Sequence, residues 1–173
     1  LLGVFLVVIA IRRSLEEFSG DAVTDNREYV NGLVFRIREE IRNYSIIEQY
    51  AAILASACIH IAKSDGRISE KEIQVIRQAI HREFQGNVDE NLIARIVGHT
   101  KQHIQNFSKE EIFLSLVDVV NLYFQHLDMA GWEARIELTS VLFLMIYEVA
   151  LADGGVTQAE EELFNRLCFQ FSL

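Results

Sequence analysis

Apolar residues recur along this chain at helical spacing, and no window alternates with period two for long enough to demand a strand. Val30, Leu33, Val34, Ile37 and Ile41 form a first stripe, with Arg36, Arg38, Glu39, Glu40 and Arg42 at the positions between. Ile46, Ile47, Tyr50, Ile53, Leu54, Ala57, Cys58 and Ile61 follow the i, i+3, i+4, i+7 rule over four turns. That helix should end at Asp65-Gly66, where glycine can take the left-handed conformation that closes a helix. Ser69 with Glu72 is a capping box opening a helix that carries Ile73, Ile76, Ile80 and Phe84, and Gly86-Asn87 breaks it. Asn87 with Glu90 opens the next, using Leu92, Ile93, Ile96, Val97 and Ile104. Ser108 with Glu111 leads into Ile112, Phe113, Leu116, Val117, Val120, Tyr123 and Phe124. From Ile136 to Ala152 the sequence is apolar nearly all round, which predicts a central buried helix. Asp153-Gly154-Gly155 ends it, and Thr157 with Glu160 caps a last helix bearing Leu163, Phe164, Leu167, Cys168 and Phe171. The predicted fold is all-α: a compact bundle of about seven helices, preceded by an apolar N-terminal helix.

That N-terminal segment differs from the rest. Residues 1–11 contain only apolar residues, alanine and glycine, and Arg12-Arg13 follows at once. A bilayer-spanning helix needs about 20 such residues. Two readings stand side by side: the inner part of a membrane anchor whose arginines mark the cytoplasmic side, or an apolar helix packed on the domain or a partner. A signal peptide fits less well, because the positive charge follows the apolar run instead of preceding it. Ser14 to Asn26 is polar, with turn signals at Ser19-Gly20-Asp21 and Thr24-Asp25-Asn26. The expected organisation is an anchor segment at 1–13, a linker and additional helix at 14–45, and a helical domain at 46–173.

Composition agrees with helices joined by short turns. The chain has 173 residues, nine glycines and no proline, where average usage of about 5% would give roughly nine. Lys and Arg number 16 against 25 Asp and Glu, a net charge of −9. Nucleic acid is therefore not an expected partner, since phosphates call for an excess of Lys and Arg. The balance suits a domain in the cytoplasm. Cys58 and Cys168 stand far apart in no framework spacing and read as buried reduced thiols.

An internal echo is the most informative feature. The stretch from Ala62 to Glu72 repeats in the stretch from Ala150 to Glu160: Asp, Gly, a β-branched apolar residue, a hydroxyl and Glu recur at identical offsets. The copies lie 88 residues apart (Asp65 to Asp153), too far for a short solenoid repeat. They predict two equivalent helix-turn-helix corners in one domain.

This pattern resembles the TerB-like domain family, found in tellurite-resistance TerB proteins and at the head of the DnaJ-like membrane co-chaperone DjlA. The family pattern, Asp-Gly-x-Ile/Val-x-x-x-Glu between two helices, falls on Asp65, Gly66, Ile68 and Glu72, and again on Asp153, Gly154, Val156 and Glu160. The resemblance covers about residues 46–173. It implies a helical bundle acting in protein interaction or stress response, often joined to other domains, with corner acids suggested to bind metal. The segment 1–11 resembles the DjlA layout, but no J-domain His-Pro-Asp motif is present, and about thirty residues separate the anchor from the first corner helix.

The corner acids have two readings. Ser69/Glu72 and Thr157/Glu160 are capping boxes in their own right, and Asp65 and Asp153 precede helices whose free N–H groups favour a carboxylate. Alternatively, Asp65, Glu72, Asp153 and Glu160 bind a divalent cation, although Ca²⁺ usually takes six to eight oxygens and each corner supplies two carboxylates. His60 and Glu148 occupy matching places five residues before the two aspartates, as solvent-facing or hydrogen-bonded groups or as members of a site. His99 and His103 stand at i, i+4 and could share a metal, but Thr100 replaces the glutamate of a zincin motif. Asn43-Tyr44-Ser45 and Asn106-Phe107-Ser108 match the glycosylation pattern without a secretory signal. There is no Gly-x-Ser-x-Gly, no phosphate-cradling glycine loop and no Cys with an obvious His partner. Three functions follow as expectations: a non-enzymatic protein-interaction module tethered to a membrane, a metal-responsive sensor using the corner acids, and, more remotely, a helical enzyme assembled from distant residues.

Overall fold

The computed structural model describes residues 24–127 and 132–171, with side chains over 32–127 and 137–171. Seven α-helices and no strand occur among the described residues: α1 (Thr24–Ile41), α2 (Ile46–Lys63), α3 (Glu70–Glu83), α4 (Glu90–His103), α5 (Lys109–Leu127), α6 (Trp132–Ala150) and α7 (Gln158–Phe171). The apolar run 1–11, the two arginines and most of the expected linker lie outside the described residues.

The centre of the bundle is α2, which packs against all six of the others, most extensively against α5 and α4. Every residue from Tyr50 to Ala62 is buried. The reason is written in its small residues: Ala51, Ala52, Ala55, Ser56 and Ala57 stand between the large ones and let neighbours approach from every side. It is also the one described helix long and apolar enough to cross a membrane by length and composition, yet 72% of that window is buried by the rest of the protein. Around it, α1 packs on α4 and α5, α3 packs on α6, and α5 touches both α6 and α7.

This corrects the expectation that the 136–152 helix is the central one. In α6, Leu142, Met145, Ile146 and Val149 are buried, but Leu144 and Tyr147 are each 49% exposed and Leu151, in the turn beyond, is 42% exposed. A helix that is apolar all round is expected to be covered all round; α6 is covered on one side only.

The predicted caps at Ser69 and Ser108 form as expected. Glu72 N and Glu111 N lie 3.2 and 3.3 Å from the hydroxyl oxygens of Ser69 and Ser108, and the two glutamates accept the serine N–H groups in return. A further capping box, Ser45 with Glu48, opens α2. Both glycosylation-pattern serines, Ser45 and Ser108, are thus helix caps. The start of α4 differs from its predicted Asn87 cap: Asp89 is the N-cap and its Oδ1 accepts from Asn91 N at 2.8 Å, while Asn87 N closes the preceding turn on Phe84 O. Aspartate two residues before a free amide makes that bond without displacing the turn.

Candidate functional site: the paired corners and the surfaces beside them

Each corner begins with a glycine in the left-handed region, Gly66 at φ +111° and Gly154 at φ +104°. In the first, Asp65 Oδ1 accepts from Arg67 N at 3.1 Å, and Lys63 Nζ donates to Gly66 O at 2.6 Å. Glu72 then caps α3: its Oε2 accepts from Ser69 N at 2.6 Å, and the residue is only 2% exposed. The second corner repeats the device, with Glu160 Oε2 accepting from Thr157 N at 2.7 Å and Glu160 4% exposed.

The two corners meet. Ser69 Oγ donates to Asp153 Oδ1 at 3.2 Å across 84 positions of sequence. Burial raises the Glu72 carboxyl above its ordinary range; the Ser69 donors oppose this, and the charges of Asp153 and Asp65 reinforce it. Asp65, Glu72 and Asp153 therefore share one electrostatic neighbourhood, while Glu160 is engaged in its own cap. Among the described residues no three His, Cys, Asp or Glu side chains are placed to hold a metal ion together.

His60 and Glu148, equivalent by position, have unlike surroundings. Glu148 accepts two bonds from Arg82 Nη2, at 3.1 and 2.9 Å. His60 is fully buried: Nδ1 lies 2.7 Å from Ser56 O and Nε2 2.8 Å from Ser115 Oγ. A carbonyl only accepts, so Nδ1 carries the proton and Nε2 accepts from the serine hydroxyl. Thr100 Oγ1 donates to Ser56 Oγ at 3.0 Å, extending a polar thread from α4 through α2 to α5. Burial lowers the His60 pKa to about 4; its bond to Ser56 O opposes the shift, and His103 adds to it. The imidazole is neutral at physiological pH. Burial, and then the charge of Glu148, push the Cys58 thiol up, so it is not a ready nucleophile.

His99 Nδ1 is 2.8 Å from Glu40 Oε2, and Arg95 Nε donates to the other oxygen of the same carboxylate at 2.9 Å. His103 stacks edge-on against Phe107 at 5.3 Å. This i, i+4 pair is thus drawn into surface contacts of α1, α4 and the turn after α4.

Two hollows lie beside the corners. A cavity of about 30 Å³ lies against Ser64, Lys109, Ile112, Leu163 and Arg166; the Ser64 hydroxyl, in a residue 6% exposed, finds no hydrogen-bond partner among the described residues. An open hollow of about 320 Å³ lies against Lys63, Ile68 and the outer face of α4. Neither the α4 hollow nor the exposed row on α6 is evident from the periodicity, which ranks buried faces and leaves the outer ones undifferentiated. The signal for the α6 row was present as Leu144, Tyr147 and Leu151 at i, i+3, i+7.

The described residues thus form an all-helical bundle whose two Asp-Gly corners are linked by the Ser69–Asp153 bond. The family model described as tellurite resistance protein TerB matches residues 51–173, and the chain belongs to that family. Comparison with the curated proteins and with the solved structures returns no match.

Proposed function

We propose that this chain is a non-enzymatic TerB-like protein-interaction module, tethered to a membrane through residues 1–11, facing the cytoplasm, and serving stress response or chaperone recruitment. The observation that carries the interaction reading is the solvent side of α6. Leu144, Tyr147 and Leu151 stand in one row, and Val156 in the adjoining corner is 37% exposed. Single exposed apolar residues are ordinary, but a row running along a helix and into the turn that follows has the character of a contact surface. Arg12-Arg13 directly after the apolar run supports the cytoplasmic side. The test is in-cell crosslinking with mass spectrometry, comparing the full chain with its Tyr147→Asp variant. The wild type is expected to crosslink to a distinct protein neighbour and the variant to lose it. Crosslinks that survive the substitution, or none with the wild type, overturn the reading.

A second reading, a divalent-cation sensor using Asp65, Glu72, Asp153 and Glu160, is favoured by the Ser69–Asp153 bond that draws the corners together. Calorimetric titration with Ca²⁺, Mg²⁺ and Zn²⁺ tests it. No heat and no melting shift at millimolar metal removes it.

A further inference from the structure

We propose that the hollow between the end of α2, the first corner and the outer face of α4 is a docking site for an acidic, extended peptide segment of a protein partner. The proposal rests on the interaction reading above but not on the α6 row. Gly98, Lys101 and Gln102 share one face of α4 at i, i+3, i+4, and together with Gln105 in the turn that follows they form one wall, while Lys63 and Ile68 form the other. At about 320 Å³ the hollow falls within the size range of ligand sites.

Its charge runs against that of the chain. In a protein with nine excess negative charges, this hollow is lined by two lysines and by no carboxylate. Lys101 forms no ion pair among the described residues, and Lys63 spends one donor on the Gly66 carbonyl. Lysines in the last turn of a helix also offset its dipole, but that role requires neither a hollow between them nor the glycine beside it. Gly98 is exposed in the interior of α4, where glycine is destabilising relative to alanine, and apart from its chain neighbours and the backbone of its own helix no atom lies within 4 Å of the place its Cβ would take. Internal packing therefore does not require it, whereas a main chain lying along α4 would benefit from the missing side chain.

The amides identify the ligand as peptide. Gln102 and Gln105 each offer both a donor and an acceptor, the complement of a backbone N–H and C=O. A phosphodiester or a fully ionised phosphomonoester presents acceptors only and would leave the glutamine carbonyls unused. Two lysines are also few for a polyphosphate strand approaching a protein of this net charge. Acidic side chains on the peptide would meet Lys63 and Lys101, and Ile68 offers one apolar contact.

The experiment uses the ¹⁵N-labelled full chain with hexa-glutamate as probe, against hexa-glutamine and inorganic phosphate. Hexa-glutamate is expected to shift amides grouped at Gly98, Lys101 and Gln102 in a salt-dependent manner, while the two controls give no such group. Lys101→Glu replaces an attraction by a repulsion at an exposed position and should weaken binding about tenfold, while lowering the melting temperature only slightly through its place in the last turn of α4. Gly98→Leu, which places a side chain in the path of the peptide, should weaken it as well. Absent or scattered shifts at millimolar peptide, undiminished binding by Lys101→Glu, or the same shifts with phosphate overturn the proposal. If the wild type crosslinks to a neighbour in cells while hexa-glutamate does not bind, this site fails and the interaction reading stands. If neither occurs, both fail.

Discussion

Acidification should unlock this bundle from its centre. His60 is fully buried and neutral, with a pKa lowered to about 4, whereas in the unfolded chain it titrates near 6.5. The unfolded state therefore takes up the proton first as pH falls. The contribution of His60 is complete above about 6.5, declines between about 6.5 and 4, and is gone below that. Each tenfold difference in proton affinity is worth about 1.4 kcal/mol, so the full contribution is about 3 kcal/mol, of which about 2 kcal/mol is lost by pH 5. That is a sizeable share of an ordinary domain's stability of about 5–15 kcal/mol. The assay is urea unfolding followed by circular dichroism across about pH 4.5 to 8, on the wild type and on His60→Gln. The variant loses the ring that bridges Ser56 O and Ser115 Oγ and should be less stable near neutrality by about 1–3 kcal/mol. It should also lack this acid sensitivity, so the two stability curves converge towards pH 4.5. The difference between the curves isolates the histidine from the carboxylates, which act on both proteins alike. Parallel curves across that range would refute the reasoning.

Three further outcomes are expected. Gly66→Ala forces a side chain onto φ +111° and should cost about 1–2 kcal/mol in thermal unfolding, whereas Gly98→Ala, in open space on a helix, should gain about 0.5–1 kcal/mol. Ser69→Ala should cost about 1 kcal/mol through its lost cap, and a double-mutant cycle with Asp153→Ala should reveal a coupling of about 0.5 kcal/mol or more; perfect additivity would mean that the corners are not linked. Glu72 has a raised folded-state pKa, so its contribution is present at low pH and lost as pH rises; Glu72→Gln, which can still cap Ser69, should gain on the wild type near neutrality and lose that advantage on acidification.

Most of the fold could be read because it is set locally. The Ser69/Glu72, Ser108/Glu111 and Thr157/Glu160 boxes announce helix starts within four residues, and both Asp-Gly corners mark ends. What could not be read is which helix lies in the middle. α6 looked central because its residues are large and apolar on all sides; α2 is central because its alanines let six neighbours come close, and size at the gaps carries less weight than hydropathy in a periodicity argument. The approach of the corners escaped for a different reason. Ser69 and Asp153 meet through the packing of α3 on α6, a tertiary fact with no local trace. His60 showed the limit from the other side, since an ionisable residue on an apolar helix was visible but its partners Ser56 and Ser115, on two different helices, were not.

Because α2 touches every other described helix, no subset of the described bundle owns a core of its own. Local opening of any outer helix uncovers the same central backbone, so partial unfolding gives little relief before the whole structure is lost. The amides from Tyr50 to Ala62 should accordingly exchange with solvent only through global opening, all at one common rate, and the domain should behave as a single cooperative unit that cannot be divided between its two corners.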